Sequence, residues 1–269
     1  MRADPRTYWR LAQAGFRRQS AYLLATFAGL CANLTFGFIR SALLLAAVAA
    51  SGGRMAGYDA GTMGAYVWLS QGLLGAVQLG TGSSEIGERV RNGDIAIDFL
   101  RPVDVQGAYL AGDLGRAAYS LIPRGLPSVL VGAATFGLVL PGSVLPYALG
   151  LLSVVLGVAL SFLCFFITQI LGFWVIETRG IRTFYMVVAS FLGGLFVPIH
   201  LFPGWLAAIA HATPFPSILQ APVDVLSGRA VGTAALQVLA VQVLWSVAVA
   251  VLGRVVLGAG RRALEVQGG

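Results

Sequence analysis

Side chains able to do acid–base, nucleophilic or metal chemistry are few here, and their spacing assembles no familiar constellation. The 269 residues hold two histidines, His200 and His211, two cysteines, Cys31 and Cys164, and eleven carboxylates. The histidines are eleven residues apart with Asp224 as the nearby carboxylate, too sparse a set for a metal that wants three or four ligands. Both cysteines lie in long apolar runs and read as small apolar fillers rather than a disulfide or a thiolate site. Intramembrane catalysis would need paired carboxylates or a Ser, His and acid set within the apolar runs, and neither occurs. All eighteen basic residues are Arg. A Walker A loop needs its Lys and a Schiff base needs a deprotonatable amine, so any ATP is hydrolysed by another chain. No catalytic, metal or cofactor-binding residue is assigned, and no nucleic-acid partner is expected.

The one polar stretch with appreciable charge is 83–113, which holds Glu85, Glu88, Arg89, Arg91, Asp94, Asp98, Arg101, Asp104 and Asp113. Glu85 and Arg89 are spaced as an i, i+4 ion pair, and Ile86 and Val90 as an apolar pair, which predicts a short amphipathic helix. Asn92-Gly93 ends it, because Gly adopts the left-handed conformation readily. Ile95, Ile97 and Phe99 then alternate with Ala96 and Asp98 until Arg101-Pro102 stops the run. A solvated loop has no use for Ile95, Ile97, Phe99 and Leu100 together. They suit either a docking surface for a soluble partner or contact with lipid headgroups.

The elements that position this stretch are apolar spans. With 57% hydrophobic and 11% charged residues, a mean hydropathy of +0.81 and a net charge of +7, the chain is not an ordinary soluble globule. Crossing a bilayer core of about 30 Å takes roughly 20 apolar helical residues. Six runs qualify: 21–50, 60–81, 117–140, 144–175, 183–197 and 233–257, the fifth being short and the fourth long. Fourteen of the eighteen Arg fall before the first run, between the second and third, between the fourth and fifth, and at or after the end of the sixth. Positive charge stays on the cytoplasmic side, so both termini are expected inside. The first run is too long, too basic in its flank and interrupted by Arg40, so it is expected to stay in the mature protein rather than act as a signal peptide. In 5–20, Tyr8, Leu11, Ala12 and Phe16 form one helical stripe among Arg6, Arg10, Arg17 and Arg18, which predicts an amphipathic helix lying at the cytoplasmic interface. The expected fold is therefore an all-α integral membrane protein in a single domain. High Ala, Gly, Val and Arg with no Lys reads as GC-rich coding, hence a bacterial source and its inner membrane.

Six spans with both ends inside, a preceding amphipathic helix and the loop Glu88 to Pro102 resemble the permease subunits of ABC-2 type transporters. Gly93-Asp94 followed by Leu100-Arg101-Pro102 is similar to that family's cytoplasmic signature. The run Gly194 to Pro203, with Pro214-Phe215 and Pro222 beyond it, is similar to the family's Pro-rich re-entrant region before the last span, here 198–229. The resemblance implies an ATP-driven exporter in which two permeases, identical or different, pair with two separate ATPase subunits that bind ATP and Mg. It also implies that the loop after the second span is the coupling element, with Glu85, Glu88, Arg89, Arg91, Asp94, Asp98, Phe99, Leu100, Arg101 and Pro102 as docking residues. Glu177, Arg179 and Arg182, read as an interfacial ion-pair group, are a candidate second ATPase contact.

Two Arg fall within spans. Arg40 either snorkels to the outer headgroups or faces protein and a pathway, depending on where the first helix enters lipid. Arg124 lies between Pro123 and Pro127, whose freed carbonyls are available to its guanidinium, and snorkelling toward the cytoplasmic headgroups is the competing placement. In 198–229, short helices at about 204–211 and 215–226 are expected to dip into the outer leaflet, since irregular backbone near lipid needs protein cover. Arg40, Arg124, Pro198, Phe202, Pro203 and Phe215 are the candidate pathway or gate residues. Spans dominated by Leu, Val, Phe and Gly suit a hydrophobic or amphipathic solute such as a drug, a lipid-linked glycan or a peptide. Asn33, Thr35, Gln71, Gln78, Gln169, Gln237 and Gln242 offer polar lining. A scaffold without turnover and an intramembrane enzyme are the alternative functions.

Overall fold

The computed structural model describes residues 4–77, 79, 85–175 and 177–267, so Gln78, the end of the second span at Thr81 and the loop start at Ser83 lie outside the described residues. Every regular element among the described residues is helical. Helix α1 (Pro5–Ser20) starts where Asp4 accepts the Arg6 N–H at 2.9 Å and Pro5 presets the first turn. Helix α2 (Leu23–Ala50) is 28 residues, about 42 Å at 1.5 Å per residue. Asp59 and Thr62 then exchange side-chain and backbone bonds, each at 2.9 Å, in a capping box that launches α3 (Ala60–Leu74). Every residue of α3 from Met63 to Leu73 is buried, and α2, α7 and α11 pack on it.

The charged stretch forms α4 (Glu85–Arg91) and α5 (Ile95–Phe99), joined through Gly93 at φ +80°. Asp104 caps α6 (Val105–Ser120) by accepting the Gly107 N–H at 2.7 Å. The expected loop to 113 thus ends nine residues sooner, and 105–113 is helix. Its small and moderately polar residues carry no apolar periodicity, yet an acidic cap and good helix formers start the helix there. This helix runs through one π turn, Leu121–Gly125, into α7 (Leu126–Phe136). Pro123 and Pro127 cannot donate to the carbonyls four residues back, and the widened turn accommodates that loss. The last part of the expected third span, 137–140, is not helical: Gly137 takes φ +61° and ends α7.

Helix α8 (Leu145–Ile170) is the second buried element and packs against α6, α9, α11 and α12. After it come α9 (Arg179–Leu192), α10 (Gly204–His211), α11 (Gln220–Leu226) and α12 (Thr233–Gln267). The helix expected over 215–226 is a 3-10 turn, Phe215–Ser217, followed by α11, while the last helix continues well past 257. Among the described residues, three helices are by themselves long and apolar enough to cross a membrane, beginning at Leu23, Leu145 and Thr233. The remaining apolar runs form the shorter α3 and α9 and the composite α6–α7.

The most extensive helix contact joins α1 to α6. A Cβ on Gly15 would overlap the Gly112 carbonyl, and one on Gly115 would overlap the Ala12 carbonyl, so the two backbones touch. Tyr8 lies against Gly107, and the Phe16 ring meets Tyr119 edge-on at 5.3 Å. The stripe of α1 is therefore half-buried against α6, which brings a matching row of small residues that a loop would not have. Trp9, Arg10 and Arg17 remain exposed on the other side.

Candidate functional site

The knob made by α4 and α5 is held from three directions. Ile86 and Val90 turn inward, and Val90 sits against Gly172 at the end of α8. Glu85 pairs with Arg18 of α1. Arg89 grips Asp98 with two bonds, Nε to Oδ2 at 2.7 Å and Nη2 to Oδ1 at 3.0 Å, and donates to the Asp94 carbonyl at 3.1 Å. Tyr109 of α6 donates to Asp98 Oδ2 at 2.9 Å, and Arg101 stands 3.5 Å from Oδ1. Asp98 is 5% exposed and ties α4, α5 and α6 together. Its hydrogen bond holds the Arg89 guanidinium above its ordinary basicity. Burial, then Asp98, pushes the Tyr109 hydroxyl well up.

Three expectations change. The Glu85–Arg89 pair does not form, because a planar guanidinium gains more from a fork onto a buried carboxylate than from an exposed neighbour on its own helix. Asp98 is an internal hub, buried beneath the outward face. The alternating run is a helical turn, so Ile95 is fully buried while Ile97 and Leu100 are exposed, Leu100 by 85%. Phe99 is half-buried beneath Arg261 of α12, whose Cζ is 5.4 Å from the ring centroid. The outward face of the knob is Glu88, Arg91, Asp94, Ile97, Leu100, Arg101 and Pro102. Arg18, Tyr109 and Arg261 escape sequence reasoning because no local spacing links them to the knob.

The other candidates lie apart from the knob. Arg40 is buried between α2 and α3 and donates through Nη1 to Ser70 Oγ at 3.0 Å, so its head faces protein. Arg124 reaches across to α2, where Nη2 meets Asn33 Oδ1 at 3.2 Å and the Gly29 carbonyl at 3.5 Å. Its guanidinium thus uses α2 rather than the carbonyls freed by the prolines. Glu177 accepts the Arg179 N–H at 2.8 Å and so caps α9. Pro198 is buried, Pro203 is exposed at the start of α10, Phe202 stacks on Phe191 at 5.2 Å and Phe215 meets Tyr185 edge-on at 6.0 Å. The two aromatics are thereby engaged by α9, away from both Arg.

The Pro-rich segment also builds a polar cluster. Asp224 accepts Gln220 Nε2 and meets His200 Nε2, each at 2.9 Å, and Gln220 Oε1 accepts the Ile199 N–H at 3.0 Å and the Tyr66 hydroxyl at 2.9 Å. Tyr66 also lies against the Gly194 carbonyl. Arg229 covers the Tyr58 ring at 4.2 Å. This cluster anchors α11 to α3. His211 is exposed, and among the described residues no three His, Cys, Asp or Glu converge for a metal. Of the polar residues expected to line a pathway, Gln242 instead clamps Ser153 and Ser217 at 2.8–3.0 Å, and Asn33 bonds the Gln71 carbonyl at 3.2 Å. Gln71 and Gln169 are buried, while Thr35 and Gln237 are exposed. An open apolar groove of about 340 Å³ is lined by Gly72, Leu73, Gly125, Val129, Leu151 and Val154.

A family model described as ABC-2 family transporter protein matches residues 19–268. Nothing among curated proteins or solved structures matches.

Proposed function

Because the chain belongs to the ABC-2 family of transporter membrane proteins, and is thus a permease component of an ABC transporter, we propose that it forms half of the translocation pathway of an ATP-driven exporter and receives force through the α4–α5 knob. Membership implies association with ABC ATPase subunits. The specific arrangement, two ATPases on two permeases with both termini cytoplasmic in a bacterial inner membrane, is part of this reading.

The observation that carries the docking assignment is the knob's outward face. Ile97 and Leu100 stand exposed amid Glu88, Arg91, Asp94 and Arg101, on a base fixed by the buried Asp98. Apolar anchors with a charged rim on a rigid support are what a protein groove recognises. The base continues into α6 and α7, so a push on the knob reaches the apolar part of the chain through unbroken helix. Closure of the ATPase pair would then tilt these helices between inward-open and outward-open arrangements. A hydrophobic or amphipathic solute is supported by spans without a carboxylate.

The test is a pull-down of the tagged chain from its own source cells. Vanadate-sensitive ATPase activity is expected to co-purify. Glu88→Arg, or deletion of Arg101 and Pro102, is expected to cut it about tenfold, the equivalent of about 1.4 kcal/mol of binding, with membrane insertion unchanged. Undiminished co-purification would remove the docking assignment.

A further inference from the structure

The seam between α2 and α3 carries positive charge that no carboxylate balances. The sequence has no Asp or Glu in 5–58, 60–84 or 114–176, so Arg40 has no acidic neighbour on its own helix and only the cap residue Asp59 on the helix it faces, while the carboxylate on the rod of Arg124, Asp113, is eleven residues away and already paired with Arg116. Arg40 is 8% exposed, yet only Nη1 is bonded, and Nε and Nη2 have no partner among the described residues. Trp68 Nε1 and Arg124 Nε are likewise buried donors without a partner, against two unpartnered acceptors, Gln71 Oε1 and the Ser41 hydroxyl, which also donates. Donors therefore outnumber acceptors along this seam. The stripe on α2 that meets it, Gly29, Asn33, Gly37, Arg40 and Ser41, recurs at helical spacing. Trp68 packs on Gly37, and Arg124 touches Asn33 and Gly29. Seven residues separate Asn33 from Arg40, so the two guanidinium stations are about 10 Å apart along the helix.

A surplus of charged donors at membrane depth is complementary to an anion rather than a cation or a neutral solute. The flank of α2 beside the seam is apolar and exposed at Phe27, Phe36, Ile39 and Leu43, where lipid chains would lie. We propose that the α2–α3 seam is a transit site for the anionic headgroup, phosphate or carboxylate, of an amphiphile, held at Arg40 and Ser70 while its chains stay in lipid along α2. This rests on the exporter reading and narrows its solute to an anionic amphiphile. The seam is closed here, so entry requires α2 to part from α3.

Trp68 reports on the site directly. The full chain with Trp9, Trp174, Trp205 and Trp245 changed to Phe is reconstituted without ATPase in phosphatidylcholine vesicles containing lipid brominated on its acyl chains. Brominated phosphatidic acid is expected to quench Trp68 at a mole fraction several-fold below that needed for brominated phosphatidylcholine. Arg40→Gln abolishes the difference and Arg40→Lys retains part of it. Ser70→Asp, which supplies a carboxylate where Nη1 already bonds, also abolishes it and serves if Arg40→Gln does not fold. Inorganic phosphate leaves the quenching unchanged. Equal quenching by the two lipids, or displacement by inorganic phosphate, would overturn the assignment, the latter by giving the site to a small free anion. Since no ATPase is present, failure here leaves the docking reading to its own pull-down.

Discussion

At the scale of single residues, the knob depends on Asp98. Its carboxylate is nearly inaccessible and holds Arg89 and Tyr109 from the two flanking helices. Asp98→Asn keeps the shape but removes the charge and unbalances the fork, and is expected to cost about 2 kcal/mol, within the range for hydrogen bonds to charged groups. The measurement is limited proteolysis of the purified chain, in which cleavage within 85–104 should rise while α8 and α12 stay protected; unchanged cleavage would show that α4 and α5 are held by Ile86, Val90 and Ile95 alone. Spacing made Glu85 and Arg89 look like partners, and it could not rank them against Asp98 nine residues on or Arg18 in another helix. The same limit applies to Tyr66, Gln220 and Asp224, whose bonds join distant parts of the chain. Gly93 was legible because a left-handed residue after Asn is a local requirement.

At the scale of elements, the apolar runs and the amphipathic first helix were readable from period and length, and the short helix Gly204–His211 from its Pro203 and the break after it. Boundaries within 105–140 were not. Hydropathy recognises lipid-compatible composition, whereas α6 begins at an acidic cap among Gly, Ala and Gln, and the π turn follows from two prolines that hydropathy ignores. The same composition hid the partner of α1. Gly115→Leu would drive a side chain into the backbone of α1, where Ala12 leaves no room, and overpacking of this kind is expected to cost about 1–3 kcal/mol. Thermal denaturation of the purified chain should show a lower Tm, with Gly112→Ala, at a position whose Cβ meets nothing within 4 Å, close to the parent. Equal melting of the two variants would mean that α1 is only loosely seated.

For the whole molecule, the knob adjoins one continuous rod, α6 to α7, braced by α1, and under the proposed reading this rod carries force from the ATPase contact into the apolar helices. Two glycines inserted between Asp104 and Val105 would keep the outward face of the knob but detach it from the rod's start. ATPase co-purification should persist while solute-dependent stimulation of hydrolysis falls at least about tenfold, an order-of-magnitude expectation for losing an allosteric coupling of 1–3 kcal/mol. Full stimulation after insertion would place the force path elsewhere, through the Arg18–Glu85 pair for example. The general architecture was legible because lipid leaves a spanning chain only helices or a closed barrel, and apolar runs of about 20 residues fit the helix. Which helix would sit at the centre was not, because α3 is less apolar than α8 and holds Tyr66, Ser70 and Gln71. Its central place comes from partners supplied by α2, α7 and α11. That position has a bearing on biogenesis. A segment walled in on every side has no finished surroundings when it leaves the ribosome, since α11, which supplies the Gln220 partner of Tyr66, is completed only at Leu226, 152 residues after Leu74. At about 5–20 residues per second, its polar groups wait roughly 8–30 s for full cover. In that interval the nascent chain is open to insertases and membrane proteases, so substitutions in α3 will register first as lost protein in the cell.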